Sequence, residues 1–150
     1  MQSIHSQSCS SMSFSMDEED IPYPRLNDQY NLIKVIGQGS SAKVWLAQSI
    51  DNPDQQFAIK IMSTKYIESK ESRKAIRKEV EILCQLDHEN IVSLYDFGDK
   101  GVINFDGDIY KNKVYIVMEY IEGPLLFDLT QKEGPIGEQM GLFFARQLIS

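Results

Sequence analysis

The stretch Tyr30-Asn-Leu-Ile-Lys-Val-Ile-Gly37-Gln38-Gly39-Ser-Ser-Ala42-Lys-Val44-Trp-Leu-Ala47 decides how this chain is read. Tyr30 to Ile36 is a short apolar run that stops at a glycine, which predicts a strand. Gly37 to Ser41 predicts a turn. Ala42 to Ala47 predicts a second strand, with Val44 and Leu46 on one face and Lys43, Trp45 and Ala47 on the other. The order is therefore strand, glycine-rich loop, strand. Glycines let a backbone approach phosphate groups that a side chain would hold off. A dinucleotide-binding loop leads into a helix instead, and a Walker-type loop ends in Gly-Lys-Ser/Thr. Ser41-Ala42-Lys43 provides neither continuation.

Downstream, Asp51-Asn-Pro-Asp predicts a turn and Gln56 to Met62 a third strand. On that strand Ala58, Lys60 and Met62 point one way and Phe57, Ile59 and Ile61 the other. Short turns between the three make an antiparallel meander. Glu68 to Leu86 then changes to helical spacing, with an apolar stripe of Ile76, Val80, Leu83, Ile82 and Leu86. Glu79 lies beside the stripe. Lys70, Arg73, Lys74, Arg77 and Lys78 form a basic outer face, expected to be solvated. Ile91 to Asp96 predicts a fourth strand and Val114 to Glu119 a fifth. Between them, Gly98 to Lys113 is polar and turn-rich, expected as an exposed loop with room for a short hairpin. Its Asp106-Gly-Asp108 is too short for a calcium loop. Two helices follow, Leu125 to Gln131 and Ile136 to Ser150, separated by Gly134-Pro135. The second reaches Ser150 without a Gly or basic cap and reads as cut.

Upstream, residues 1–26 are expected to form a disordered tail. Serines crowd its first part, the acidic run Asp17-Glu18-Glu19-Asp20 follows, and Pro22 and Pro24 close it. Such a segment buries too little apolar surface to offset its ordering entropy. The whole chain has 150 residues and a net charge of −7, which argues against a general nucleic-acid binder. Cys9 and Cys84 have no disulfide or zinc spacing and read as free thiols. No apolar run approaches a membrane span and no targeting pattern opens the chain, so a cytosolic or nuclear location is expected.

Taken together, these pieces resemble the protein kinases. The strand-loop-strand is similar to their nucleotide loop, and Phe57-Ala58-Ile59-Lys60 to their Val-Ala-Ile-Lys motif. Glu79 resembles the helix glutamate that pairs with the strand lysine. His88-Glu-Asn-Ile-Val92 resembles the family's His-Pro-Asn-Ile-Val, and Tyr115 to Gly123 its fifth strand and hinge. Leu126-Phe127-Asp128-Leu129 and Phe143-Phe144-x-x-Gln147-Leu148 resemble the two helices beyond. The details are closest to serine/threonine kinases of the calmodulin-dependent and AMP-activated type.

The resemblance implies an α+β fold: an N-lobe of five antiparallel strands plus one helix, then the first two helices of a truncated C-lobe. The N-lobe and hinge would occupy residues 27–122 and the C-lobe fragment 123–150. It implies ATP as the nucleotide, with Mg²⁺ and a protein substrate in the complete enzyme, and no metal site in this chain. Gly37, Gln38, Gly39 and Val44 would cover the nucleotide, and Ala58 and Met118 would line the adenine pocket. The Glu119 carbonyl and Ile121 N–H would bond the adenine edge. Lys60 and Glu79 would form the ion pair that orients the phosphates.

The pattern also has departures. Ala42 replaces the third glycine, Ser41 the aromatic at the loop tip, and Leu125 an acidic residue for the ribose hydroxyls. Asp96-Phe97-Gly98 spells the family's metal-binding triplet but precedes the hinge, so it is not expected to serve as one. Residues 1–150 contain no His-Arg-Asp loop and no later Asp-Phe-Gly. The chain alone is therefore expected to be inactive, with two final helices that lack a lobe to pack against.

Overall fold

The computed structural model describes residues 23–67 and 69–149. The expected tail lies outside them up to Pro22. The strands are β1 (Arg25–Leu26), β2 (Tyr30–Gln38), β3 (Ala42–Ser49), β4 (Gln56–Met62), β5 (Leu94–Phe105) and β6 (Asp108–Glu119). The helices are α1 (Lys70–Leu83), α2 (Leu126–Glu133) and α3 (Glu138–Ile149), with a 3-10 turn at Thr64–Ile67.

The strands close into an antiparallel barrel in the order β1-β2-β3-β4-β6-β5. This corrects the expected five-stranded sheet, and the missing strand is β1. Two residues are too few to carry an alternation pattern, so Arg25 and Leu26 read as the end of the tail. They nevertheless join the sheet's two ends, with Leu26 opposite Tyr30 on β2 and Ile103 on β5. Leu26 is fully buried. Asn27 and Asp28, both with positive φ, make the tight turn into β2. Asn and Asp tolerate that region better than other residues with a side chain.

The second difference is β5–β6. The polar segment from Gly98 to Lys113 is a long hairpin rather than a loop. Its turn is Asp106-Gly107, where both residues have positive φ, the conformation that suits a two-residue hairpin. Pairing hides backbone polar groups however polar the side chains are, so no hydrophobic alternation announces it.

Two clusters hold the fold. Inside the barrel are Leu26, Leu32, Ala47, Phe57, Ile59, Ile61, Tyr115 and Val117, with Tyr30, Trp45 and Ile103 against them. Outside, Ala42, Met62, Val114 and Ile116 pack with Ile67 and with Ile76 and Val80 of α1. Ser69 caps α1 by accepting from Ser72 N–H at 3.0 Å. Only Ile76 and Val80 of that helix are buried; Ile82, Leu83 and Leu86 are exposed. The basic face is not simply solvated. Arg77 pairs with Asp99 on β5, and Arg73 donates to the carbonyls of Ile67 and Asp99 at 3.1 and 3.4 Å. Helices α2 and α3 bury no residue. Among the described residues no helix is long and apolar enough to cross a membrane.

Candidate functional site

Strand register assembles most of the expected site. Lys60 stands opposite Val44 on one side and Ile116 on the other, and Gly37 stands opposite Val44. One step along, Ala58 lies between Leu46 and Met118. Side chains two apart share a face. Val44, Leu46, Ala58, Lys60 and Met118 therefore lie on the face where Met62 and Ile116 meet α1. Ala58 is buried, while Lys60, Val44 and Met118 are half-buried. The surface is apolar around one ammonium group. Spacing put Leu46 on the Val44 face; pairing adds that Leu46 stands beside Ala58 and Ile116 beside Lys60.

The glycine-rich loop is closed by Gly39 N–H donating to the Ala42 carbonyl at 2.9 Å, with Gln38 opposite Lys43. Neither Gly37 nor Gly39 has a positive φ. A Cβ on Gly37 would come no closer than 3.6 Å to Val44, and one on Gly39 would meet only the Ala42 oxygen at 3.9 Å. The fold itself thus has room for side chains at both. Close approach by a ligand remains as a physical reason for glycine there, and this fits a phosphate-bearing group.

At the far end, Glu119 ends β6 opposite Phe57. Its N–H donates to the Ser93 carbonyl at 2.9 Å and its carboxylate accepts from Ser93 N–H at 3.2 Å. Ile121 lies just past the strand and is exposed.

One expected contact is not made. Glu79 is exposed, and it forms no ion pair with Lys60. Arg77–Asp99 is the ion pair found among the described residues. Glu79 does lie on α1 between Ile76 and Val80, the two residues that seat the helix on the Lys60 face. The two groups therefore share a side of the sheet without touching, while Arg73 and Arg77 tie α1 to β5.

The early Asp96-Phe97-Gly98 has a structural explanation. The Asp96 carboxylate accepts from Phe97 N–H at 2.7 Å and from the Tyr115 hydroxyl at 3.2 Å. Asn27 donates to the same hydroxyl at 2.9 Å. A Cβ on Gly98 would lie 2.3 Å from the Tyr115 ring, so glycine is required there. Burial, and then the Asp96 charge, push the Tyr115 phenol up to about 12. Tyr115 belongs to the barrel interior, on the face opposite Ile116 and hence away from Lys60.

A separate cavity lies elsewhere again. It has about 1340 Å³ and opens at the end of the barrel, among Trp45, Phe105, Tyr110 and three lysines.

Comparison with known proteins agrees with the geometry. The sequence model described as "Protein kinase domain" matches residues 30–150. A serine/threonine-protein kinase PrkC of Bacillus subtilis is 37% identical over 126 residues, covering 84% of this chain and 18% of that protein. Calcium/calmodulin-dependent protein kinase type 1 of Caenorhabditis elegans is 32% identical over 128 residues, 85% of this chain and 33% of its own length. CBL-interacting protein kinase 15 of Oryza sativa is 31% identical over 125 residues, 83% of this chain and 26% of that protein. The chain thus spans a third or less of these relatives. With the two strands of the glycine-rich loop, the Lys60 row and the α1 helix arranged as described, the chain belongs to the protein kinase domain family and carries the N-terminal part of that domain.

Proposed function

We propose that this chain is the ATP-binding part of a protein serine/threonine kinase, which in its complete form transfers phosphate from ATP to protein hydroxyls. The observation that carries the reading is the shared face of Val44, Ala58, Lys60 and Met118 beside a loop whose glycines the fold does not itself require. Ala58 and Met118 would bound an adenine-sized gap and Val44 would cover it. The Glu119 carbonyl and Ile121 N–H would bond the base edge. Gly37, Gln38 and Gly39 would lie over the phosphates. Lys60 would hold them by charge, its ammonium being a compact donor suited to phosphate oxygens.

Glu79 would orient Lys60 once α1 moves close enough to pair with it. Mg²⁺ would serve the reaction in the complete enzyme by neutralising phosphate charge. Among the described residues, no group of three or more His, Cys, Asp or Glu side chains gathers to hold a metal ion. Residues 1–150 also lack the proton-accepting Asp of a catalytic loop. The chain by itself would therefore bind nucleotide without transferring phosphate, because positioning and charge stabilisation do nearly all the work in this chemistry.

A second reading, a nucleotide-binding regulatory module without catalysis, draws on the unpaired Lys60 and Glu79. Both readings require ATP to bind. At about 100 times Kd, ATP stabilises a specific site by about 2.7 kcal/mol. The expected result is a thermal upshift of the 150-residue chain with millimolar ATP that Lys60→Met removes. No upshift in the parent chain would refute both readings. An upshift that survives Lys60→Met would refute the pocket assignment. Kinase activity of the longer native protein, lost in Lys60→Met, then separates enzyme from regulatory module.

A further inference from the structure

The open end of the barrel is a cationic cavity in an acidic protein. Among the described residues, Lys34, Lys43 and Lys113 line it and no Asp or Glu does, although the chain carries 22 acidic residues against 15 Lys and Arg. None of the three lysines joins an ion pair among the described residues. Lys113 sits over the Tyr110 ring, 5.8 Å from its centre. The walls are aromatic and aliphatic, chiefly Trp45, Phe105 and Ile33. A recess with apolar walls and charge of one sign concentrates its field on an oppositely charged ligand.

We propose that this cavity is the docking site of the chain's own acidic segment, Asp17-Glu18-Glu19-Asp20. That segment lies outside the described residues, but its tether does not. Tyr23 and Pro24 line the cavity. At about 3.3 Å per extended residue, a tether of three residues back from Tyr23 spans at most about 10 Å and one of six about 20 Å, so the acidic run has the length to reach the rim. So short a tether gives an effective concentration in the millimolar range, enough for charge pairs that would be weak between separate molecules. The flanking Phe14, Met16 and Ile21 supply apolar side chains for the aromatic walls. Gly39 and Ser40 also line the cavity, so the docked segment touches the glycine-rich loop from the barrel side. The docking does not depend on the nucleotide reading.

Trp45 is the chain's single tryptophan and lies in the cavity wall, so its fluorescence reports this place alone. The experiment is acrylamide quenching of Trp45 in the 150-residue chain without nucleotide. It compares the parent with the D17N/E18Q/E19Q/D20N and K34Q/K43Q/K113Q variants. The first variant alters no described residue, so the barrel stays as it is. At about 0.05 M salt, quenching is expected to be about twofold stronger in both variants than in the parent, and at about 1 M salt, where the Debye length is about 3 Å, the parent should reach their level. Equal quenching of parent and tail variant at low salt overturns the proposal. Shielding that grows with protein concentration also overturns it, because the occupant is then a second copy.

Discussion

A methyl group added at Gly98 would lie 2.3 Å from Tyr115 Cε1, whereas one added at Gly39 would meet nothing nearer than 3.9 Å. The two glycines therefore answer to different demands, and substitution separates them. Gly98→Ala forces the Tyr115 ring out of its place in the barrel interior, and overpacking of this kind costs about 1–3 kcal/mol. Urea unfolding should show that loss, with nucleotide affinity changed only as far as the fold is. Gly39→Ala should leave stability equal or raise it by about 0.4–1 kcal/mol, since its φ is not positive and the unfolded chain loses freedom. ATP affinity should nevertheless fall, as read by titration calorimetry. A destabilised Gly39→Ala protein with unchanged ATP affinity would contradict the role given to the loop. That Ala58 and Lys60 share a strand face was legible from period-two spacing, but a strand lysine by itself reads as a solvated charge, and only the resemblance to kinases singled it out for a nucleotide role. The detachment of Glu79 was not legible, since which way α1 leans depends on Arg73 and Arg77 reaching Asp99 across β5.

Tyr115 joins three elements, accepting from Asn27 after β1 and donating to Asp96 on β5 from its own place on β6. Its raised pKa makes this junction sensitive to alkali. The neutral phenol is favoured in the folded state, so its contribution is complete below the unfolded value near 10 and fades as pH rises towards about 12. Stability measured by urea should therefore decline over that interval. Tyr115→Phe should be less stable by about 1–3 kcal/mol at neutral pH, because Asp96 and Asn27 lose a buried partner. Its alkaline decline should also be shallower than the parent's. An equal decline in both proteins would place the titration elsewhere. The elements around this junction were unevenly legible. Strands β2, β3 and β4 carry side-chain alternation, and β4 has the expected bounds. The outer halves of β5 and β6 hold Ile103, Phe105, Ile109 and Tyr110 among many polar residues, a pattern too sparse to announce strands, and the Asp106-Gly107 turn fixes their pairing.

At the scale of the molecule, closure of the barrel depends on β1, the shortest strand, whose two residues were expected to belong to the tail. Without it, β2 and β5 would each present an unpaired edge, and edge strands invite association between chains. Leu26 is the anchor: fully buried, it packs with Leu32, Phe57 and Val117 inside the barrel. The turn behind it is held by Asn27, whose N–H donates to the Val102 carbonyl at 2.8 Å while its side-chain oxygen accepts from Val102 N–H at 2.8 Å. Leu26→Ala should cost about 2–5 kcal/mol, the range for a buried leucine. The loss should appear first as faster hydrogen exchange at Val102, while amides of β3 and β4 keep most of their protection, since opening at an edge is a local event. Light scattering should rise with protein concentration as the two edges become available. If β3 and β4 lose protection together with Val102, the barrel unfolds as a single unit and β1 is part of its core rather than its clasp.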